Sequence, residues 1–223
     1  MNQVRVIQIK QSVMGNNDAR AAKLREELRE QHTFLLNLMS APGSGKTTTV
    51  LRTIEKLRDE LRIGVIEADI DSTVDADRIH ATGIPVIQLR TGGLCHLEAE
   101  MTQEALSGLD PKALDLVILE NVGNLVCPAE FDTGAAKNVM LLSVPEGDDK
   151  PLKYPLMFST CQALIINKID TIASFDFDMQ TVKNRVKKLN PDIVIFEISA
   201  KTGQGMLAWT NWLRNETIKW NQS

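Results

Sequence analysis

The chain has only three cysteines among its 223 residues, at positions 95, 127 and 161. This low, odd number and the lack of an apolar signal-peptide core near the N-terminus argue against a disulfide-stapled secreted protein. No apolar run approaches the length of a membrane span. The net charge of −4 mixes both signs along the chain, so no basic face is available for nucleic acid. These absences predict a cytoplasmic protein that binds neither membrane nor nucleic acid.

The sequence also lacks internal repeats, low-complexity stretches and linkers, which favours one domain at residues 33–223 after a short N-terminal extension at 1–32. Strand-like apolar runs lie at residues 3–9, 33–39, 62–70, 84–89, 114–121, 138–144, 162–168 and 192–199. Helical patterns lie at 17–32, 47–61, 75–81, 96–107, 177–189 and 205–219. Buried strands that alternate with amphipathic helices predict an α/β fold, with a mostly parallel central sheet of about seven strands and helices on both faces.

The segment "SAPGSGKTTT" at residues 40–49 follows the first strong strand and precedes a helix. It resembles the phosphate-binding pattern G-x-x-x-x-G-K-[ST], with Ser40 in place of the first glycine. This context favours a P-loop over the alternative, a glycine-rich turn with a surface lysine. The residues expected to contact nucleotide phosphates are Gly43, Ser44, Gly45, Lys46, Thr47 and Thr48.

Each P-loop residue type has a physical role. Gly43 and Gly45 allow the backbone to curl and point its N–H groups at a phosphate. Lys46 would reach the β- and γ-phosphates and support catalysis, and the Thr47 hydroxyl would bind Mg²⁺.

Two later motifs predict that the base is guanine. In "INKID", Asp170 could accept two hydrogen bonds from guanine that adenine cannot offer, while Asn167 braces the loop and the Lys168 stem lies along the base. The segment "SAKTGQG" at 199–205 ends the next strand. Its residues expected at the base are Ser199, Ala200 and Lys201. Either motif alone could be a capped turn, but three motifs in this order at strand ends predict a GTPase.

The magnesium and hydrolysis groups are less specific in the sequence. Glu120 ends a strand in the Walker B position, and "EADIDSTVDADR" at 67–78 offers three aspartates, Asp69, Asp71 and Asp75. We expect Glu120 and Asp75 to join Thr47 at Mg²⁺, and Asp71 and Asp75 to serve hydrolysis. The alternative is that these aspartates only cap helices. No glutamine is placed to orient water, which predicts slow hydrolysis.

Cys95 and His96 follow one strand, and Cys127 follows another. Parallel strands end at the same edge, so the two loops could bring a Cys₂His set together for Zn²⁺ or Ni²⁺. The alternative is that these cysteines are buried or incidental. Cys161 lies beside a strand and is expected to be a packing residue.

These motifs together resemble the HypB family of hydrogenase nickel-incorporation GTPases, in the SIMIBI group of P-loop proteins. The resemblance spans nearly the whole chain and rests on "SAPGSGKTT", "GGLCHLE", "ILENVGNLVCP", "SVPEGDDKPLKYP", "INKID" and "SAKTGQG". The related UreG family has a Cys-Pro-His metal motif. Here Cys95 and His96 are adjacent and Cys127 is separate, as in HypB.

The resemblance implies a GTP-dependent homodimer that binds Mg²⁺ and, at Cys95, His96 and Cys127, Ni²⁺ or Zn²⁺. It implies nickel delivery to the [NiFe] hydrogenase large subunit together with a HypA-like metallochaperone. Residues 1–32 contain no cysteine and only one histidine, so no high-affinity terminal nickel site or nickel store is expected.

Lys150 and Lys153 stand in "GDDKPLKYP", a segment that carries part of the resemblance. One of them is expected to reach nucleotide across the dimer, with Lys153 as the candidate. The alternative is that both are solvated loop lysines. Two rival functions remain at this stage. The first is a UreG-like GTPase that serves another nickel enzyme, and the second is a non-catalytic metal-binding or storage module.

Overall fold

A computed structural model describes residues 5–8, 17–69 and 73–223, with the backbone alone at 5–8. In these ranges eight strands form a single sheet, and every pair of neighbours is parallel. The predicted α/β class with helices around a parallel sheet is confirmed. The sheet has one strand more than expected because the short N-terminal strand joins it at the edge.

The strands are β1 (Arg5–Gln8), β2 (Phe34–Ser40), β3 (Ile63–Asp69), β4 (Val86–Arg90), β5 (Leu116–Glu120), β6 (Lys137–Ser143), β7 (Ala163–Asn167) and β8 (Val194–Glu197). Their order across the sheet is β1-β4-β3-β5-β2-β6-β7-β8. The helices are α1 (Asn17–Glu30), α2 (Lys46–Leu57), α3 (Val74–His80), α4 (Ala99–Ser107), α5 (Lys150–Lys153), α6 (Pro155–Ser159), α7 (Met179–Leu189) and α8 (Met206–Asn221). The sequence patterns missed α5 and α6, which are too short to show a helical period.

The core lies on both faces of the sheet, which explains the near-continuous apolar strands. All seven residues of β2 are buried. Phe34, Leu36 and Leu38 pack into one apolar cluster, while Leu35 faces a second cluster on the other side. This alternation follows from the two-residue period of a strand, and it requires both faces to be covered by helices.

The N-terminal segment packs onto the same sheet. β1 runs parallel to β4, and α1 buries Ala21, Leu24 and Leu28 as its spacing predicts. Arg25 donates two hydrogen bonds to the Asp132 carboxylate, at 2.7 and 2.8 Å, and a third to the Ala135 carbonyl at 2.8 Å. The helix is thus joined to the chain that follows β5. The division of the chain at residue 32 remains a prediction.

The expected helix at 96–107 begins three residues late, at Ala99. Gly92 and Gly93 have φ values of 63° and 101°, and the Thr91 hydroxyl donates to the Leu94 carbonyl at 2.7 Å. These left-handed residues and the local turn hold the following chain out of helical conformation. Cys95 and His96 therefore lie in a loop, where their side chains are not constrained by helical periodicity.

The C-terminal helix covers the face of the sheet below the P-loop helix. Trp209 is buried, stacks near Trp212 and Phe196, and donates its indole N–H to Thr53 Oγ1 of α2 at 2.9 Å. Within the described residues no helix is both long enough and apolar enough to cross a membrane.

Candidate functional site

The strands end along one edge of the sheet, and the loops there build the site. Between β2 and α2 the chain forms the predicted phosphate loop. Gly43 and Gly45 have φ values of 75° and 97°, in the left-handed region that favours glycine. A Cβ at Gly45 would stand 2.6 Å from Asn167 Nδ2, so the loop is closely packed against the base-side strand.

Lys46 points back over this loop. Its Nζ donates a hydrogen bond at 3.0 Å to Oγ of Ser40, the residue that stands in place of the first glycine of the pattern. Burial lowers the pKa of the Lys46 ammonium, and the carboxylates of Glu120 and Glu67 oppose that shift. A buried cation between a glycine loop and carboxylates is suited to a phosphate that carries its own metal ion.

Three carboxylates meet beside the P-loop. Glu67, Asp75 and Glu120 offer oxygens that all lie within 4.8 Å of one another. The Thr47 hydroxyl donates to Glu120 Oε1 at 2.8 Å. One oxygen of Glu67 and one of Glu120 are buried without a hydrogen bond in the described part of the chain. Such oxygen-only ligands beside a P-loop threonine fit Mg²⁺.

The electrostatics of these carboxylates support the same assignment. Burial, reinforced by the charge of Glu120, raises the pKa of Glu67 to about 8. Burial likewise raises the pKa of Glu120 to about 7. Clustered buried carboxylates hold charge poorly unless a cation compensates them. The site is therefore built to take up positive charge.

Glu67 is the member of this group that sequence reasoning missed. The signal was present, since a glutamate interrupts the apolar run "RIGVIEADI". In the sheet, Glu67 of β3 is the register partner of Glu120 of β5. Of the three aspartates predicted nearby, Asp75 joins the group, Asp69 lines the cleft without joining it, and Asp71 lies outside the described residues.

The phosphate loop and the carboxylates line one cleft of about 360 Å³. The residues predicted for phosphate and Mg²⁺ that line it are Gly43, Gly45, Lys46, Thr47, Thr48, Asp75 and Glu120. Ser44 is buried, and its hydroxyl donates to the Ala41 carbonyl at 2.5 Å.

The residues expected at the base lie on two further loops. Asn167 donates through Nδ2 to the Ser44 carbonyl at 2.9 Å and accepts from the Ala200 N–H at 3.1 Å. The Lys168 ammonium donates to the Gly43 carbonyl at 2.6 Å, so its stem runs alongside the P-loop. Asn167 thus joins the phosphate loop to the segment at 199–205.

The remaining residues expected at the base differ in their exposure to solvent. Asp170 and Lys201 are exposed, whereas Ser199 and Ala200 are buried. Arg52 of α2 donates through Nε to the Ala200 carbonyl at 3.1 Å, a contact that the sequence did not suggest. The exposed Asp170 carboxylate is open to a ligand, and the loop that would meet the guanine carbonyl is held on two sides.

The thiols and imidazole come together as the second predicted site. Cys95 Sγ lies 2.8 Å from Cys127 Sγ and 3.9 Å from His96 Nδ1, although Cys127 is 32 residues further along the chain. Tetrahedral zinc ligands of this kind stand about 3.5–3.8 Å apart. A metal ion would need only a small separation of the two thiols. The donor set is that of a borderline cation such as Zn²⁺ or Ni²⁺.

The cysteines differ in their surroundings. The hydrogen bond shared with Cys127 raises the pKa of the Cys95 thiol, so cation binding there releases protons. Cys161 is fully buried in an apolar cluster, and burial raises its pKa to about 12. Its position agrees with the expected packing role.

The two sites share one segment, residues 120–127. At its start Glu120 accepts from Thr47, and a Cβ at Gly123 would stand 3.1 Å from the backbone nitrogen of Pro42. Further on, Asn124 Nδ2 donates to the Cys95 carbonyl at 3.4 Å. The segment therefore touches the P-loop at one end and holds the metal-binding loop at the other.

The lysines of "GDDKPLKYP" do not line the nucleotide cleft of their own chain. Lys150 and Lys153 lie on α5, and both ion-pair with Asp149. Lys153 lines a separate groove of about 220 Å³ together with Val126 and Leu156.

Comparison with known proteins agrees with this geometry. A family model described as CobW/HypB/UreG, nucleotide-binding domain, matches residues 34–197. The chain is 45% identical over 216 residues to hydrogenase maturation factor HypB of Azotobacter vinelandii, which covers 97% of this chain and 71% of that protein. It is 44% identical over 213 residues to hydrogenase/urease maturation factor HypB of Helicobacter pylori strain J99, which covers 93% and 86% of the two chains.

A solved structure is also similar to this chain. The crystal structure of HypB from Helicobacter pylori in complex with nickel superposes with a TM-score of 0.88 at 40% identity, covering 94% of this chain and 98% of that one. Sequence and fold agree over nearly the full length. The chain therefore belongs to the CobW/HypB/UreG family of nucleotide-binding domains and, within it, groups with the HypB proteins.

Proposed function

We propose that this protein is a GTP-hydrolysing metallochaperone that assists nickel insertion into the [NiFe] hydrogenase large subunit. The observation that carries the proposal is the segment 120–127, which joins the magnesium carboxylate Glu120 to the thiol Cys127. Gly123 packs on the P-loop, and Asn124 donates to the Cys95 carbonyl. The names of the HypB relatives support nickel as the cargo and hydrogenase as the client.

On the nucleotide side, the Asp170 carboxylate selects guanine and Asn167 holds the base loop against the P-loop. The residues that would hold Mg²⁺ are Thr47, Asp75 and Glu120, joined by Glu67. Mg²⁺ supplies charge neutralisation at the phosphates. Lys46 binds the phosphate oxygens, and Asp71 and Asp75 stand in the segment that would position water. Without a glutamine for this task, hydrolysis is slow until a partner completes the site.

On the metal side, Cys95, His96 and Cys127 hold one Ni²⁺ or Zn²⁺ as cargo. GTP holds the segment 120–127 in one arrangement through Glu120 and Gly123. Loss of the γ-phosphate frees that arrangement, and the connected thiol moves with it. Nickel affinity therefore changes between the GTP and GDP states, which makes release directional.

We further propose that the GTP form is a homodimer. Val126 and Leu156 line one groove and expose 48% and 46% of their surfaces, and Leu152 of α5 exposes 64%. An apolar patch of this kind suits a second copy of the chain. Dimerisation would place Lys153 or Lys150 near the partner subunit's nucleotide. A HypA-like nickel metallochaperone and the hydrogenase large subunit would act in the cytoplasm as donor or acceptor of the metal.

A second client is favoured by one comparison. The Helicobacter pylori relative is named a hydrogenase/urease maturation factor, so a urease or another nickel enzyme is an alternative acceptor. The chemistry of the site is unchanged by this choice. Apo-enzymes of both kinds, supplied with the nickel-loaded protein and GTP, would distinguish the clients by which one gains activity.

The test is a Ni²⁺ and Zn²⁺ titration of the full chain with GDP, with a non-hydrolysable GTP analogue and without nucleotide, with the oligomeric state read in parallel. We expect affinity and dimerisation to differ between the two nucleotide states. Cys127→Ala should lose the site but keep GTP turnover, whereas the matched Cys161→Ala should keep both. Equal affinities in all three states would refute the coupling. Absence of GTP turnover in the wild-type protein would favour a non-catalytic metal-binding module.

A further inference from the structure

The imidazole of His96 is held on three sides by groups of this chain. Its Nδ1 lies 3.9 Å from Cys95 Sγ. Its ring stacks on Phe131, with 3.7 Å between centroids and 15° between planes. Its Nε2 lies 3.5 Å from Glu98 Oε1. The ring therefore presents Nδ1 to the thiols and Nε2 to a carboxylate.

Glu98 lies directly before α4, at its N-cap position, and its side chain makes no capping hydrogen bond. The first helical N–H, that of Ala99, donates to Asn17 Oδ1 of α1 at 2.9 Å. Thr102 fixes the Glu98 backbone by donating to its carbonyl through N at 3.1 Å and Oγ1 at 3.0 Å. With its backbone held in this way and its side chain not engaged in capping, Glu98 lies with its carboxylate beside the imidazole.

The imidazole and the carboxylate are shielded from water, which strengthens a polar interaction between them. Side-chain exposure is 14% for His96 and 11% for Glu98. In the part of the chain that the structure describes, Nε2 is buried without a hydrogen bond of normal length. A buried polar nitrogen without a hydrogen bond favours a partner. A movement of about 0.5 Å would bring Nε2 and the Glu98 carboxylate to hydrogen-bond distance.

We propose that Glu98 is a positioning residue of the metal site. It accepts the Nε2–H of His96 and so fixes the tautomer in which Nδ1 carries the lone pair beside Cys95. A carboxylate behind a ligating histidine also makes the ring a stronger donor. The inference deepens the proposed metal-carrying function and rests on the site formed by Cys95, His96 and Cys127.

The first test measures Zn²⁺ and Ni²⁺ affinity against a competing chromophoric chelator, in the full chain with GDP present. Glu98→Ala should weaken binding by about 10- to 100-fold. Glu98→Gln, which can still accept from Nε2–H but lacks the charge, should lie between the two. Glu100→Ala is the matched control. It removes an exposed carboxylate, paired with Arg20, from the first turn of the same helix, and it should leave the affinity unchanged.

The second test reads the tautomer directly, which a merely structural role of Glu98 would not alter. In protein labelled with ¹⁵N-histidine and loaded with Zn²⁺, His96 should be metallated at Nδ1 and protonated at Nε2. The same state should persist in Glu98→Gln and Glu100→Ala. It should give way to a mixture in Glu98→Ala. The wild-type spectrum needs no variant to fold, and GDP binding checks the fold of each variant.

Each arm can overturn the inference. Metallation of wild-type His96 at Nε2, or an affinity of Glu98→Ala within twofold of wild type, would refute it. An equal loss in Glu100→Ala would assign the effect to helix charge instead. Cys127→Ala is the separate arm for the site itself. If that variant kept its metal, the proposed site would be wrong; if it lost metal while Glu98→Ala did not, only the role of Glu98 would fail.

Discussion

The Thr47 hydroxyl donates a 2.8 Å hydrogen bond to Glu120 Oε1, across 73 residues of sequence. This contact joins two residues of the proposed magnesium site, one from the P-loop helix and one from the end of β5. Because Cys127 follows Glu120 by seven residues, it also marks where the nucleotide site meets the metal-binding loop. A ligand that displaces this hydrogen bond acts on the segment that carries the thiol.

Gly45→Ala should weaken GTP binding. The backbone there has φ of 97°, and the new Cβ would stand 2.6 Å from Asn167 Nδ2. The left-handed conformation alone costs about 1–2 kcal/mol for an L-residue, and the clash adds to it by displacing the base-side brace. We expect a loss of more than about tenfold, measured with a fluorescent GTP analogue.

Gly43→Ala separates the two causes of that loss. Its φ is 75°, but nothing lies within 4 Å of the Cβ position. The Gly43→Ala variant should suffer the cost of the left-handed backbone conformation but no steric clash. It should therefore bind GTP better than Gly45→Ala does. Equal losses would show that the contact with Asn167 is unimportant.

Glu67→Gln should flatten the pH dependence of stability in the absence of divalent cations. Glu67 has a folded-state pKa of about 8, above its usual 4.5. Between these values the unfolded chain is ionised and the folded chain retains the proton, so stability falls as pH rises from about 4.5 to 8. The amide stays neutral and removes that fall. Urea unfolding in EDTA at several pH values between 5 and 8 measures the change.

Mg²⁺ supplies a further check on the same carboxylate. Since the cation favours the ionised form, it should restore wild-type stability near pH 8 and do less for Glu67→Gln. Glu104→Gln, at an exposed position of α4, is the control and should follow the wild type. A Glu67→Gln protein with the wild-type slope would mean that this carboxyl is not protonated in the fold.

Asp170→Asn should lower GTP affinity by about 100-fold or more, because the amide cannot accept two hydrogen bonds from guanine. Xanthine carries a carbonyl where guanine has its amino group, so xanthosine triphosphate should bind the variant better than GTP does. Competition binding with both nucleotides measures the switch. Asp176→Asn, exposed on the same segment, should leave the preference for guanine intact. Unchanged GTP affinity in Asp170→Asn would mean that the base is read elsewhere.

Asn124→Ala should uncouple the two sites. Asn124 donates to the Cys95 carbonyl at 3.4 Å and accepts from the Val126 N–H at 2.8 Å, so it bridges the two metal-binding loops. Without it, nickel affinity with the GTP analogue and with GDP should converge. Asn124→Asp keeps the acceptor for Val126 and loses the donor to Cys95. If this variant behaved as wild type, the bridge to Cys95 would not carry the coupling.

The sequence predicted much of the lining of the cleft beside the P-loop because each of the motifs is short. Gly43 to Thr48 form one short loop and the first turn of α2, so residue types and spacing suffice to predict a phosphate cradle. The same holds for Asn167, Lys168 and Asp170. The sequence patterns failed where the local spacing of apolar residues predicts one structure and tertiary contacts favour another. His96 was expected at the start of a helix, but left-handed glycines and the Asn17 cap delay the helix to Ala99.

The sequence by itself determined the parallel sheet, the phosphate loop and the base motif. The spacing of apolar residues, the placement of glycines and the position of a motif at a strand end are local features that each span only a few residues. Only the tertiary structure decided which distant groups meet. The register of β3 on β5 sets Glu67 beside Glu120. The packing of two loops brings Cys95 within 2.8 Å of Cys127, and the start of α4 sets the Glu98 carboxylate 3.5 Å from His96 Nε2. These contacts depend on how strands pair and helices pack, and that geometry is set by the whole core rather than by any local pattern.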